Sequence, residues 1–288
     1  MADNMNIQWY PGHMTKTRRQ MEADLKLVDA VCEIVDARIP ISSRNPDIDS
    51  ICGHKPRMVI LNRWDLADPD ATARWVAYYK AKGIVAVPTD CKSRRGINNF
   101  TPSARQLLHE KIERNAARGM TKALRLMIVG IPNVGKSTLI NQISGRKGAK
   151  AENRPGVTRG KQWVAVDKDL LLLDTPGILW PKFDDPNVGL MLAYTGAVKE
   201  DVIDLEELAC RLMELLHSRY PDKVKERYGI EAEPETPGWQ LLEEAGRKRG
   251  FLLARGEINT ERMAKVLVDE FRSGKLGRFT LEEPEDLV

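Results

Sequence analysis

The stretch Gly-Ile-Pro-Asn-Val-Gly-Lys-Ser, residues 130–137, leaves few folds open to this chain. It satisfies G-x-x-x-x-G-K-[ST] at every fixed position and stands where that motif has mechanical meaning. The apolar run Leu124–Gly130 before it reads as a buried strand, and Lys136–Ser144 after it as a helix. The glycines let the backbone curl so that its N–H groups converge on phosphate oxygens, and the helix N-terminus adds positive potential. In such a loop Lys136 reaches the β- and γ-phosphates of a nucleotide and the Ser137 hydroxyl meets Mg²⁺. Asn133, Val134, Gly135 and Thr138 complete the expected cradle.

The surroundings of the loop agree with an α/β fold. Asp29–Ala37, Arg57–Asn62, Ile84–Pro88, Lys161–Val166 and Leu170–Thr175 also read as buried strands. Their near-continuous Val, Ile and Leu suits a mostly parallel sheet covered by helices on both faces. Helices are expected over Asp70–Lys82 and Ile97–Arg118. After Trp180 the texture changes to amphipathic helices, with leucines 205, 208, 212, 215 and 216 on one stripe, and Thr260 and Gly274 near the two ends of another helix. The expected division is therefore a three-layer domain over residues 1–180 and a smaller all-α domain over 181–288, joined around Pro181–Pro186.

Charge and cysteine content narrow the class. Residues 1–179 hold 29 Lys and Arg against 18 Asp and Glu, while residues 180–288 hold 16 against 23. The basic half points to a polyanionic partner such as nucleic acid, with a mixed solvated surface as the alternative. The four scattered cysteines, with no C-x-x-C pair, read as reduced thiols. No apolar run has the length of a membrane span and no signal peptide opens the chain, so a cytoplasmic protein is expected.

Two further motifs address the phosphates. Leu170–Gly177, Leu-Leu-Leu-Leu-Asp-Thr-Pro-Gly, puts Asp174 at a strand end, where a carboxylate meets Mg²⁺, and the Gly177 N–H where it can sense the γ-phosphate. Between the motifs, Arg154–Gly160 offers Thr158 as a switch residue whose hydroxyl completes the Mg²⁺ shell when a γ-phosphate is present.

The base-reading residues come early in the chain. Guanine offers two donors that one carboxylate can accept, and adenine lacks the matching N1–H. Downstream of Gly177 no Asn-Lys-x-Asp is found, but Asn62-Arg63-Trp64-Asp65 follows a strand directly. Arg63 stands in for the lysine that covers the base face, although the two side chains are not equivalent. After the next strand, Asp90-Cys91-Lys92 occupies the place of Ser-Ala-Lys, with the Cys91 N–H expected to face guanine O6. The motif order is thus base reader, O6 contact, phosphate loop, switch threonine, Asp-Thr-Pro-Gly. A cyclic shift relates this order to the usual one, as is feasible when a domain's ends lie close together.

These motifs, with Gln8–Met14 (QWYPGHM), Asp36–Pro46 (DARIPISSRNP) and Asp174–Lys182 (DTPGILWPK), give the chain a resemblance to circularly permuted GTPases, specifically the ribosome biogenesis GTPase A (YlqF) family. The resemblance covers nearly the whole chain; only the helical tail is poor in motifs. It implies a GTP- and GDP-binding factor that acts late in assembly of the large ribosomal subunit, with rRNA and ribosomal protein as partners. It also implies hydrolysis stimulated by that particle. The free protein is expected to be a monomer with no membrane attachment. Asn133 resembles the asparagine of K⁺-activated GTPases, where its oxygen helps hold the cation; a plain turn-forming role is the alternative.

The residue following Gly177 is Ile178, which cannot orient water as the glutamine of many GTPases does. The resemblance assigns that task to His13, whose imidazole titrates near working pH. Two other readings of Trp9–His13 remain: an apolar staple, or RNA contact together with Lys16, Arg18 and Arg19. For the whole chain the alternative is a GTP-regulated module on another RNA that barely hydrolyses its nucleotide.

Overall fold

The computed structural model describes residues 14–145, 162–175, 185–198, 204–254 and 256–287. They form two compact units: one built on a sheet, which includes residues 282–287, and a helical one ending at Leu281. The boundary expected at residues 180 and 181 lies outside the described residues.

The sheet has six strands: β1 (Ala30–Asp36), β2 (Arg57–Asn62), β3 (Val85–Thr89), β4 (Leu124–Gly130), β5 (Trp163–Asp167) and β6 (Leu170–Asp174), in the spatial order β3-β2-β1-β4-β6-β5. Five run parallel, and β5 pairs antiparallel with β6. Only Lys168 and Asp169 separate β5 from β6, far too few residues for the crossover a parallel pair needs. β1 is buried along its whole length, as a strand covered on both faces should be. It also joins the two halves of the chain. Ile34 pairs with Ile60 of β2 on one side and with Gly130 of β4 on the other, although β4 comes about ninety residues later in sequence.

The helices of this unit are α1 (Met14–Leu25), α2 (Ile48–Cys52), α3 (Pro69–Ala81), α4 (Phe100–Leu107), α5 (His109–Ala117) and α6 (Lys136–Ile143). α3 starts where Asp68 accepts from the Asp70 and Ala71 N–H groups, with Pro69 in the first turn, where its missing donor costs nothing. The single helix expected over 97–118 is a 3₁₀ turn, Ile97–Asn99, followed by α4 and α5, which part at the buried Leu108 (φ −105°, ψ 17°). α1 is an addition to the expected elements. Its Met21 and Leu25 share a core with Val31, Met127, Val129, Leu171 and Leu173, drawn from three strands.

The helical unit contains α7 (Pro186–Tyr194), α8 (Leu205–Arg219), α9 (Pro221–Tyr228), α10 (Gly238–Lys248) and α11 (Thr260–Ser273). Leu208, Leu212, Leu216, Leu241, Met263, Leu267 and Phe271 form its interior. Asp204 caps α8 through the Glu206 and Glu207 N–H groups, and Gly274 ends α11 with φ 77°. Two basic stretches far apart in sequence meet here: Arg227 and Arg249 both reach the Glu270 carboxylate, which also accepts from the Tyr228 hydroxyl.

Candidate active site

Parallel strands end together, and in this sheet β1, β2, β3, β4 and β6 deliver their C-terminal loops to one edge. The phosphate loop leaves β4 at Gly130. A Cβ there would stand 2.6 Å from Ile34 Cγ2 and 2.8 Å from the Ile34 carbonyl oxygen, so only glycine lets the loop leave so close to β1. The loop passes Asn133 at φ 60° and closes at Gly135, φ 104°, which is the N-cap of α6. Lys136 follows, half-buried, in the first turn, with Ser137 and Thr138 exposed. Val134 is buried, and Asn133 is exposed.

Asn62 fastens this loop to the base-reading half. Its amide nitrogen donates to the Val134 carbonyl at 2.7 Å, and its amide oxygen accepts from the Cys91 N–H at 3.1 Å. The Thr89 hydroxyl is also within 3.4 Å of that oxygen. The side chain is buried, and both ends are engaged by protein. Gly135 is fitted to it, since a Cβ there would lie 2.2 Å from Asn62 Nδ2. Asn62 therefore braces the phosphate loop against β3's loop, which is more than the base contact read from its sequence.

Arg63 makes the second link. With φ 61°, it sends Nη2 to the Asn133 carbonyl at 2.8 Å, while Nη1 lies 3.4 Å from Asp36 Oδ2. Asp36 is itself clasped by Arg38, whose Nε and Nη2 reach the two carboxylate oxygens at 2.9 and 2.8 Å. Burial alone would raise the Asp36 pKa, but Arg38 and Arg63 hold it below the usual carboxylate value, so it stays ionised. Sequence reasoning gave Asp36 and Arg38 no role in the site. Their signal was an Asp-x-Arg at the end of a fully buried strand, where charged residues need partners.

Asp90 and Cys91, at the expected O6 position, follow β3 directly. Asp90 is buried, and its carboxylate accepts from the Lys92 N–H at 2.9 Å, the Ser93 N–H at 3.1 Å and the Ser93 hydroxyl. It shapes its own turn. The Cys91 N–H is the one held by Asn62, and burial pushes the Cys91 thiol up to about 11, so it stays neutral. Asp65 is half-buried, beside the Asn62–Arg63 corner.

On the phosphate side, Lys136 Nζ lies 3.3 Å from Asp174 Oδ1 and also reaches the Thr175 carbonyl. The Thr175 hydroxyl donates to the Ile128 carbonyl at 2.6 Å, which pins the end of β6 to β4. Lys136 and Asp174 thus stand side by side. Among the described residues no group of three His, Cys, Asp or Glu side chains could hold a metal. One carboxylate and one hydroxyl are a donor set suited to Mg²⁺, which keeps its waters and binds through substrate phosphates. His13, Thr158 and Gly177 lie outside the described residues.

Comparison with known proteins follows the same lines. The model of the 50S ribosome-binding GTPase family matches residues 125–219. Ribosome biogenesis GTPase A of Priestia megaterium is 48% identical over 284 residues, covering 98% of each chain. That of Bacillus cereus is 46% identical, covering 98% of this chain and 95% of the relative. A solved GDP-bound YlqF superposes with a TM-score of 0.67 at 27% identity, covering 93% of this chain and all of that one. The motifs, the sheet order and near-full-length identity agree: the chain is a GTPase and belongs to the ribosome biogenesis GTPase A family.

Proposed function

We propose that this GTPase is a cytoplasmic assembly factor that docks on the large ribosomal subunit late in its biogenesis, and that the particle switches on its hydrolysis. The relatives' names point to the ribosome. The basic charge of residues 1–179 suits an rRNA partner. No helix among the described residues is long and apolar enough to cross a membrane.

In the proposed mechanism Asp65 reads guanine, Arg63 covers the base and Asn62 keeps the base and phosphate loops in register. The backbone of Asn133–Ser137 cradles the phosphates, and Lys136 shifts from Asp174 and Thr175 to the β- and γ-phosphate oxygens. Ser137 and Asp174, with Thr158, would hold Mg²⁺, whose charge would offset that of the phosphate oxygens. Gly177 senses the γ-phosphate, and the Asn133 side chain is the residue for a K⁺ ion. His13 orients the attacking water in place of the glutamine absent at Ile178.

The observation that carries the stimulated character is that Ile178 has no polar group, so the water needs another partner. Support for His13 comes from the family resemblance of the segment that holds it, Gln8–Met14. Co-sedimentation with purified large subunits tests the docking. Retention with a non-hydrolysable GTP analogue and release with GDP is expected. Equal retention on unrelated RNA would favour a general RNA-binding module.

A further inference from the structure

The segment after the helical unit, Glu282–Leu287, is bolted to the sheet unit. The Glu282 carboxylate is buried and accepts from the Ile41 N–H at 2.6 Å, the Ser42 N–H at 3.0 Å and the Ser42 hydroxyl. The Trp75 indole N–H donates to the Glu282 carbonyl at 2.9 Å, and Arg74 forms a two-point pair with Glu283 at 2.7 and 3.0 Å. Such a bidentate pair is directional as well as attractive. A buried carboxylate with this many donors is a built contact, and nothing in the nucleotide chemistry requires it.

The segment it grips leads to the phosphate loop. Ser43, next to Ser42, donates its hydroxyl to the Ile39 carbonyl at 2.6 Å and accepts from the Asp36 N–H at 2.9 Å. That turn fixes Asp36 and Arg38 in their bidentate clasp. Asp36 backs Arg63, and Arg63 holds the Asn133 carbonyl. Arg63 is about one-third exposed, so its direction depends on what stands behind it. Asn133 and Arg63 both sit at φ near +60°, a conformation non-glycine residues hold only when their surroundings enforce it.

We infer that Glu282 is a positioning residue for the phosphate loop: docked on Ile41 and Ser42, it steadies the 36–44 turn, and through Asp36 and Arg63 it holds Asn133 in its nucleotide-binding conformation. Residue 282 follows directly on the last residue of the helical unit. The latch is therefore covalently continuous with that unit and makes nucleotide affinity sensitive to whether the C-terminal segment is seated. The inference rests on reading Gly130–Ser137 as the phosphate loop.

The test uses the full chain, with GDP affinity and steady-state GTP turnover measured for wild type, Glu282→Ala, Glu282→Gln, Arg63→Ala and Glu282→Ala with Arg63→Ala. Glu282→Ala is expected to weaken GDP binding about tenfold, raising KM with kcat unchanged. Glu282→Gln, which keeps the volume and an acceptor oxygen, loses less. In the Arg63→Ala background the Glu282 effect disappears, because the two residues act along one chain of contacts. Wild-type affinity in folded Glu282→Ala, or losses that add with Arg63→Ala, overturns the proposal. If Glu282→Ala does not fold, wild-type affinity for Glu282→Gln overturns it. Failure of the wild type to bind GDP would instead overturn the reading of the loop.

Discussion

Asn62 and Val134 are 72 residues apart in sequence and joined by a 2.7 Å hydrogen bond that makes the base-reading strand and the phosphate loop one object. Replacing Asn62 with alanine would leave the Val134 carbonyl and the Cys91 N–H buried without this partner. Each such loss costs about 1–3 kcal/mol. Asn62→Ala is therefore expected to lose about 2–6 kcal/mol in urea unfolding together with most of its GDP affinity. A variant that keeps wild-type stability would show that the bond is not a brace.

Gly135 tests the same junction from the other side. Gly135→Ala forces a Cβ to 2.2 Å from Asn62 Nδ2 in a backbone conformation, φ 104°, that alanine resists. Nucleotide affinity should fall by at least about tenfold, and the thermal midpoint should drop, because the clash is with a side chain already fixed at both ends. Fluorescent-nucleotide titration and calorimetry read the two effects separately.

The proposed base reader is Asp65. In the proposed reading Asp65→Ala removes the carboxylate that accepts guanine's donors, and a site deprived of such a hydrogen bond loses discrimination by up to about 10⁴–10⁵. Competition of labelled GDP by ATP should be undetectable in wild type and become measurable in the variant. An unchanged preference would move base recognition to another residue.

Glu282 gives the protein a pH signature. Burial pushes its carboxyl up to about 7, against the pull of the Ser42 and Ile41 donors, with the Asp286 charge adding to the rise. A folded pKa above the unfolded one means a contribution fully present below about 4.5 and lost as pH rises through about 7. Between pH 6 and 8 the wild type should lose about 1.4 kcal/mol relative to Glu282→Gln in urea unfolding. Parallel pH profiles for the two proteins would contradict this.

The sheet was legible because its signals are local. Arg57–Asn62 and Leu124–Gly130 are apolar runs bounded by polar or turn residues, and they form strands with those limits. The phosphate loop was legible because its glycines are steric necessities, as Gly130 and Gly135 show. What was not legible depends on distant partners. Asn62 reads as a base contact until Val134 and Cys91 are seen on either side of it. Asp90 reads as a poor serine replacement until its carboxylate is found capping its own turn. α1 was hidden because its described part is polar except for a few anchors such as Met21 and Leu25, which acquire meaning only against Met127 and Leu173. Glu282 looks like one acid among several near the C-terminus, and its donors lie about 240 residues earlier.

The most direct test of the account is GTP turnover by the full-length protein with and without purified large ribosomal subunits, run for wild type and His13→Ala. Slow turnover by free protein is expected, with an increase of about 10²-fold or more on subunits that His13→Ala loses while subunit binding is kept. Equal wild-type turnover with and without subunits would contradict it.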